Sequence, residues 1–330
     1  GCTPIELIFT GTGTEGDNHA IKGLAYARKD KGNHIITTKV EHPAVLNTCK
    51  HLAKDGFEIT YLDVDKEGLL DLEALKNAIT PKTILISVMY ANNETGVVFP
   101  INEIGEIAKE RGVTFHTDAV QAAGKTPIDL KTLNVDLMTI SGHKLYGPKG
   151  VAALYARRGV RLIPLIHGGH HERNRRGGTE NVAGIVGFGK AAEIAMRDMD
   201  AELAHLASLR DRLEKGMKER IDHIHVNGSP DKRLANTSNI SFEFVEGESL
   251  LLNLDMKGIA ASSGSACTSG SLEPSHVLVS MGMSHELSHG SVRFSLGRSN
   301  TIEEIDYLID IMPPIVERMR SMSPLYAGAK

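Results

Sequence analysis

Lys144 is the residue whose position first suggests chemistry, in the stretch Ile140-Ser-Gly-His-Lys-Leu-Tyr-Gly-Pro-Lys-Gly-Val151. The apolar run 137–140 before it predicts a buried strand, and the glycines and the proline after it predict a loop. Most lysines are solvated, so a lysine at the mouth of a buried strand is unusual. A lysine amine in such a place can act as a nucleophile or a base once desolvation favours its neutral form.

A second reactive candidate is Cys267, in the stretch Ser262-Ser-Gly-Ser-Ala-Cys-Thr-Ser-Gly-Ser271. Cysteine is usually a small buried hydrophobe, but here its neighbours are serine, glycine, threonine and alanine. A polar loop of this composition suits a thiol that reacts and must travel. Cys2 and Cys49 have no comparable surroundings, and we interpret them as ordinary thiols.

A glycine-rich turn near the start predicts an anion site. Gly11-Thr-Gly-Thr-Glu-Gly16 follows the short predicted strand 6–10 and precedes a helix-periodic segment over 17–28. A helix that starts after such a turn presents backbone N–H groups and its positive dipole end to a phosphate. The spacing also matches G-x-G-x-x-G, and Glu41 lies roughly where a ribose-binding acid would lie, so a dinucleotide site is an alternative.

The elements that must position these groups alternate along the chain. Apolar runs rich in Ile, Val and Thr predict strands at 34–40, 58–64, 83–90, 113–118 and 136–141, with helices near 43–55, 71–79 and 101–111. This pattern predicts an α/β fold with a mostly parallel sheet covered on both faces.

Ligands of such sheets bind at the carboxyl ends of the strands. Polar residues follow four of the predicted strands: Glu41-His42, Asn92-Asn93-Glu94, His116-Thr-Asp118 with Gln121, and Ser141, His143 and Lys144. Each could be a turn or cap residue on its own. Their coincidence at successive strand ends predicts a binding site there.

The second half of the chain predicts a smaller domain. A long helical pattern over 182–221 carries one polar interruption near 197–200 and leads into predicted strands at 237–244, 259–262 and 291–295, with helices near 248–256, 275–282 and 301–320. We therefore predict a large domain over 1–195 and a small α+β C-terminal domain over 196–330 that carries the cysteine loop.

Composition excludes several classes of function. The chain has 330 residues, 41% hydrophobic and 24% charged, with a formal net charge of −4, which argues against a nucleic-acid or anionic-membrane surface. No apolar run approaches a membrane span, and no signal-peptide pattern opens the chain. Three cysteines without C-x-x-C spacing favour a reducing compartment, so we predict a cytoplasmic protein.

The loop 167–181 contains two charged clusters. Its histidines, His167, His170 and His171, leave a metal site open, but no cysteine or carboxylate pattern beyond Glu172 supports one. We therefore predict no metal. The arginines of the same loop, at 173, 175 and 176, favour contact with an anion or with a neighbouring subunit.

With these residues in place, the chain resembles the cysteine desulfurases of the NifS/IscS kind. These are aminotransferase class V enzymes with the type I pyridoxal-phosphate fold, whose large domain is built on a seven-stranded-type sheet. The motifs span nearly the whole chain in family order: Glu41-His42, Asn92-Asn93-Glu94, His116-Thr-Asp118-Ala-Val-Gln121, Ser141-Gly-His-Lys144-Leu-Tyr-Gly-Pro-Lys-Gly150, Arg176-Gly-Gly-Thr179-Glu-Asn, Ser262-Ser-Gly-Ser-Ala-Cys267 and Val292-Arg-Phe-Ser-Leu-Gly-Arg298.

The resemblance implies a role for each cofactor residue. Lys144 would hold pyridoxal 5'-phosphate covalently and then move the proton at the substrate Cα. Asp118 would pair with the ring nitrogen, and His42 would stack on the ring and shuttle a proton. The remaining contacts are Asn93 and Gln121 at the phenolic oxygen, with Gly13, Thr14, Ser141 and His143 at the phosphate.

The resemblance also implies substrate and partner contacts. Arg293, with Asn93, would bind the carboxylate of L-cysteine, and Cys267 would take the sulfur as a persulfide while the substrate becomes L-alanine. Thr179 would reach the phosphate of the other subunit, which implies a homodimer. The sulfur would pass to an iron–sulfur scaffold protein or another acceptor.

Family members begin several dozen residues earlier, with an Asp-Asn-Asn-Ala-Thr-Thr-like segment, whereas this sequence starts at Gly1. We therefore expect the chain to be short at its N-terminus, and a dimerisation or sulfur-relay module without catalysis is one alternative. A selenocysteine lyase is another. The dinucleotide alternative leaves Lys144 and Cys267 without a role.

Overall fold

The computed structural model describes residues 1–263 and 274–327. The strands are β1 (Leu7–Thr10), β2 (His34–Thr38), β3 (Glu58–Leu62), β4 (Thr83–Ser87), β5 (Thr114–Asp118), β6 (Leu137–Ser141), β7 (Ala152–Ala156), β8 (Ile224–Asn227), β9 (Thr237–Phe242) and β10 (Ser291–Ser295). The helices are α1 (Gly13–Ala27), α2 (Pro43–Lys54), α3 (Leu72–Ala78), α4 (Ile101–Glu110), α5 (Val182–Arg220), α6 (Gly247–Asp255), α7 (His276–Ser280), α8 (His285–His289), α9 (Ile302–Met322) and α10 (Pro324–Ala327).

The chain divides into two compact units. Unit 1 comprises residues 1–63, 70–92 and 98–199, and unit 2 comprises 64–69, 93–97 and 200–330. The sequence-based boundary after residue 195 stays a prediction. None of the described helices is long and apolar enough to cross a membrane.

Unit 1 is built on a seven-stranded sheet in the order β1-β7-β6-β5-β4-β2-β3. The pairs from β6 through β5, β4 and β2 to β3 are parallel, and β7 is antiparallel to both β1 and β6. The predicted α/β fold with a mostly parallel seven-stranded sheet is confirmed. Strands β2, β4 and β5 are buried along their whole length, because helices cover both faces of a parallel sheet.

Helix α1 packs against the sheet so closely that side chains are excluded. A Cβ built on Gly16 would lie 2.7 Å from Cγ2 of Thr139 on β6, which leaves no room for any residue but glycine. The helix begins at Gly13, four residues before the predicted start, because Thr12 caps it by accepting a hydrogen bond from the backbone N–H of Glu15. The glycine turn is therefore the first turn of the helix itself.

Unit 2 contains a three-stranded antiparallel sheet in the order β10-β9-β8. Its core joins Ile240, Phe242 and Val292 of that sheet to Leu213 of α5 and to Met312 of α9, all nearly or fully buried. The predicted strand at 259–262 does not form, and only Ser262 makes an isolated bridge, to Arg293.

The polar stretch near Arg197 does not interrupt α5, which runs unbroken for 39 residues. Its charges lie on the exposed surface, where Lys190 pairs with Glu193 and Arg197 with Asp198. Charged residues are adequate helix formers at exposed positions, so the polar stretch continues the long helix that the pattern over 182–221 predicts.

Candidate functional site

The ends of the central strands of unit 1 bring together the two residues with the greatest catalytic potential. Asp118 is the last residue of β5 and is 7% exposed. Lys144 lies in the single 3₁₀ turn Gly142–Leu145 that follows β6. The positive charge of Lys144 is close enough to lower the pKa of the Asp118 carboxyl. An acid and an amine therefore face one region at adjacent strand ends.

The turn that carries Lys144 is fixed by its own backbone. Tyr146 ends it with φ of 59°, a left-handed conformation that is uncommon outside glycine, and its N–H bonds the carbonyl of Gly142. Gly147 N–H bonds the same carbonyl at 2.9 Å. These bonds close the loop directly behind Lys144, so its backbone position is well determined.

The first turn of α1 lies against the same two strand ends. A Cβ on Gly13 would lie 2.9 Å from Val120 and 3.6 Å from Cβ of Ser141. The leading N–H groups of a helix have no acceptor within the helix, so Gly13 and Thr14 offer donors beside Asp118 and Lys144. The predicted anion site and the predicted acid–lysine pair are thus neighbours.

A negative charge also stands at this helix start, and it is neutralised. Glu15 accepts a hydrogen bond from Gly11 N–H at 2.8 Å. It also forms an ion pair with Arg176, whose Nε lies 2.9 Å from its carboxylate. Arg176, which the sequence assigned to an anion or a neighbouring subunit, thus binds a carboxylate of its own unit. This pairing reduces the repulsion that Glu15 would exert on a bound phosphate.

Ser141 and His143 form a small hydrogen-bonded pair beside the helix start. Ser141 Oγ lies 2.9 Å from His143 Nδ1, and Ser141 is 2% exposed. Burial and the charges of three lysines lower the pKa of His143, so the ring is neutral at physiological pH. Thr179 is exposed and lines a cavity of about 130 Å³ together with Gly11 and Arg176.

His42 caps helix α2. Its Nδ1 accepts the backbone N–H of Ala44 at 3.1 Å, so the ring proton of the neutral form resides on Nε2. This bond fixes the orientation of the ring. Gln121 lies three residues beyond Asp118, and its Oε1 accepts a hydrogen bond from Lys125 Nζ at 3.2 Å. No sequence pattern predicted the contact between Gln121 and Lys125.

Two more carboxyls are buried near Asp118, and sequence reasoning missed one of them. Asp17 on α1 is 2% exposed, and its Oδ1 has no hydrogen-bond partner among the described residues. It lies 3.6 Å from Nε2 of His116, whose pKa burial lowers to about 3. The available signal was its place on the apolar helix stripe of Ala20, Ile21 and Leu24.

Burial disfavours the charged form of all three carboxyls. Burial raises the pKa of Asp17 well above its usual range and that of Glu41 to about 8, and the charge of Asp118 raises both further. Asp118 itself rises only to about 6, because the Val120 N–H and the Lys144 charge oppose its burial. Near neutral pH Asp118 is therefore more readily ionised than Glu41, and burial disfavours the charged form of Asp17 as well.

Glu41 gives this arrangement a measurable pH dependence. Its folded-state pKa of about 8 exceeds the usual value of 4.5, so its contribution to stability is complete below about pH 4.5 and is lost as pH rises through about 8. Gln at this position keeps the acceptor for Thr38 Oγ and Met89 N–H. The unfolding free energy of wild type should fall as pH rises from about 4.5 to about 8. We expect the unfolding free energy of E41Q to fall by at least about 1 kcal/mol less over the same range.

Urea unfolding at several pH values measures this difference, and E103Q on the exposed side of α4 is the matched control. If E41Q and E103Q both follow the wild-type pH dependence, Glu41 is not protonated in the folded protein.

In unit 2 the two residues expected to contact substrate meet each other. Arg293 on β10 donates from Nη1 to the backbone carbonyl of Asn93 at 2.9 Å. The next residue, Glu94, is buried, and its Oε2 accepts a hydrogen bond from Ser275 Oγ.

Cys267 lies outside the described residues, between Ser263 and Pro274. Within the described ranges no group of three or more His, Cys, Asp or Glu side chains has the geometry of a metal site.

Comparison with known proteins gives this geometry a family. The aminotransferase class-V model matches residues 3–308. The chain is 57% identical over 323 residues to cysteine desulfurase IscS of Clostridium botulinum, covering 97% of this chain and 81% of the relative. A relative of the same name from Methanosarcina thermophila is also 57% identical, over 98% of this chain and 80% of the relative. The chain belongs to the cysteine desulfurases of the aminotransferase class-V family.

Solved structures agree with this assignment. A NifS-like protein superposes with a TM-score of 0.89 at 38% identity, covering 96% of this chain and 84% of its own. A NifS-like protein from Rickettsia africae superposes with a TM-score of 0.85 at 33% identity, covering 94% and 82%. The expected family and fold are thereby confirmed.

Pyridoxal phosphate is the cofactor on which this family depends, and the residues present in unit 1 fit it. The cofactor has an aldehyde, a basic ring nitrogen and a phosphate. Unit 1 offers an amine at Lys144, a charged carboxylate at Asp118 and a helix N-terminus at Gly13. The close approach of Gly13 to Ser141 leaves the backbone N–H groups accessible where a side chain would cover them.

Proposed function

We propose that this chain converts L-cysteine to L-alanine and holds the removed sulfur as a persulfide on Cys267. The observation that carries the proposal is the charge arrangement at the ends of β5 and β6. Asp118, with a pKa raised to about 6, ionises more readily than Glu41, and it stands beside Lys144 and the first turn of α1. A ring nitrogen, an aldehyde and a phosphate need these three partners together.

Lys144 would bind the cofactor covalently and, once released by substrate, accept the proton from the substrate Cα. Asp118 would keep the ring nitrogen protonated through a charge-assisted hydrogen bond. When bound, pyridoxal phosphate supplies an electron-withdrawing ring that stabilises negative charge at that carbon. The negative charge of Asp118 would stabilise the positive charge of the protonated ring nitrogen. Because the strand ends are buried, water would screen this attraction only weakly.

The other cofactor contacts follow from the same elements. Gly13, Thr14, Ser141 and His143 would donate to the phosphate. His42, held by its cap bond to Ala44, would present the face of its ring to the cofactor and pass protons through Nε2. Gln121 and Asn93 would hold the side of the ring that carries the phenolic oxygen.

A homodimer would complete the site. Thr179 is exposed on the surface of its own unit, and we propose that it reaches the phosphate bound by the second subunit.

With two free thiols described at Cys2 and Cys49 and no basic surface implied by the net charge, we place the enzyme in the cytoplasm.

The substrate would be bound through its carboxylate by Arg293 and Asn93. A solved structure of SspA in complex with cysteine superposes with a TM-score of 0.77 at 39% identity, covering 89% of this chain and 82% of its own. The thiolate of Cys267 would attack the substrate sulfur and form the sulfur–sulfur bond of the persulfide as the carbon–sulfur bond breaks. The electron pair of the broken bond would stay with the substrate Cβ, which would take up a proton, and L-alanine would leave. The persulfide would then pass to an iron–sulfur scaffold protein or another sulfur acceptor.

Substrate turnover tests the proposal directly. Protein supplied with pyridoxal phosphate should turn yellow and produce L-alanine and reductant-released sulfide in equal amounts from L-cysteine. Borohydride reduction followed by peptide mass mapping should place a pyridoxyl group on Lys144. Active protein with an unmodified Lys144, or alanine without sulfide, would contradict it. L-selenocysteine and L-cysteine sulfinate, assayed in parallel, report whether another substrate of this class is preferred.

A further inference from the structure

Glu94 of the Asn92-Asn93-Glu94 motif has no role in the reaction above, yet it is deeply buried in unit 2. It is 3% exposed. Its Oε2 accepts a hydrogen bond from Ser275 Oγ at 2.5 Å, and its backbone carbonyl accepts one from Asn239 Nδ2 at 3.2 Å. A buried carboxyl held at both its side chain and its backbone is fixed in place.

Arg293 is attached to the same small segment. Its Nη1 donates to the carbonyl of Asn93, the residue before Glu94, and its backbone exchanges two hydrogen bonds with Ser262. Its Nε is buried and has no hydrogen-bond partner among the described residues. The guanidinium therefore retains one N–H donor for another acceptor. Asn93, whose carbonyl binds this guanidinium, directly precedes Glu94 in the chain.

The positive charge of Arg293 acts electrostatically on Glu94. Burial raises the pKa of Glu94 to about 7, and the Ser275 hydrogen bond and the positive charge of Arg293 oppose that rise. Arg293 on β10 is the charged group that acts on Glu94 in the described part of the unit, since Ser275 before α7 and Asn239 on β9 are neutral. Near neutral pH, Glu94 is thus poised between its two forms.

We propose that Glu94 is a positioning residue that takes up a proton when a substrate carboxylate binds to Arg293. The inference rests on the role proposed above for Arg293. A bound carboxylate cancels the positive charge that favours ionised Glu94, so Glu94 becomes a neutral acid and still accepts the Ser275 hydrogen bond. Coupling between two sites is reciprocal, so ionised Glu94 weakens carboxylate binding. Apparent affinity for L-cysteine should therefore decrease as pH rises through neutrality.

Glu94→Gln separates charge from structure, because its amide oxygen can still accept from Ser275. KM and kcat of the holoenzyme are measured from about pH 6 to about pH 8.5, and each is expressed as the ratio of wild type to variant. The ionisations of cysteine itself cancel in this ratio. The KM ratio should be near one at low pH and reach about fivefold in favour of E94Q at high pH, with kcat changed less than about twofold. A ratio that is constant with pH would overturn the proposal.

A readout independent of turnover is proton uptake. Propionate is a carboxylate without amine or thiol, and its binding to the wild-type holoenzyme near pH 7.5 is followed by calorimetry in two buffers of different ionisation enthalpy. We expect net proton uptake in wild type and none in E94Q. Equal uptake in both proteins would show that another group takes the proton.

Ser275→Ala supplies the directional test. Removing the hydrogen bond that stabilises ionised Glu94 should raise its pKa and move the change in KM to higher pH, whereas a purely structural role predicts no such movement. Glu248→Gln, exposed on α6, is the matched control and should behave as wild type. If Arg293→Lys leaves KM unchanged, the proposed role of Arg293 fails. If Arg293→Lys raises KM while E94Q shows no pH effect, only the coupling fails.

Discussion

Replacing Lys144 with alanine is expected to lower kcat/KM for L-cysteine by at least about 1000-fold, or roughly 4 kcal/mol of barrier. The variant loses the amine that would bind the cofactor and move the proton at the substrate Cα. It also removes a positive charge that lowers the pKa of Asp118, so that carboxyl should become more protonated and bind the ring nitrogen less well. Absorbance, borohydride mapping and alanine production measure the three effects.

Two further variants distinguish the chemistry of Lys144 from its charge. Lys144→Arg restores the positive charge beside Asp118 but provides no amine of comparable reactivity, so it should remain inactive. Lys149→Ala removes an exposed lysine of the same loop and should keep wild-type activity. A K144A protein with more than about a tenth of wild-type activity would exclude Lys144 as the catalytic amine.

Replacing Cys267 with serine is expected to lower sulfur transfer from L-cysteine at least about 100-fold, roughly 2.7 kcal/mol, while the protein stays yellow. A hydroxyl is a far weaker nucleophile than a thiolate, and Cys267 lies far along the chain from the residues proposed to bind the cofactor. Mass spectrometry of the intact protein after exposure to cysteine should show one added sulfur on wild type and none on the variant.

Cys2→Ser is the matched control, since Cys2 is a partly exposed thiol of unit 1. It should form the persulfide at the wild-type rate. Unimpaired sulfur transfer by C267S would remove Cys267 from the mechanism, and loss of cofactor binding in the same variant would mean that the substitution disturbs more than the nucleophile.

The residues at the strand ends could be located from sequence because polar residues follow directly after predicted strands there. The predicted strands 113–118 and 136–141 lead directly to Asp118 and to the turn of Lys144, and parallel strands bring their carboxyl ends to one edge. The pKa shifts of Asp17, Glu41 and Asp118 could not be predicted, since they depend on burial and on electrostatic interactions between residues separated by up to about a hundred positions.

Several elements were missed for reasons of context. Strand β7 is an alanine-rich run whose local preference is weak, and it becomes a strand because β1 and β6 pair with it on both sides. The opposite error occurred at 259–262, where strand-like residues find a partner only at Ser262. The role inferred for Glu94 required the hydrogen bonds from Ser275 and Asn239, which no local pattern indicates.

The composition of unit 2 has a consequence for synthesis on the ribosome. Residues 93–97 belong to this unit, but Ser275 and Arg293 follow Glu94 and Asn93 by 181 and 200 positions. At about 5–20 residues per second, the short segment waits roughly 10–40 seconds for its partners. Its buried carboxyl must stay hydrated during that time, and an isolated 200–330 fragment would lack this segment altogether.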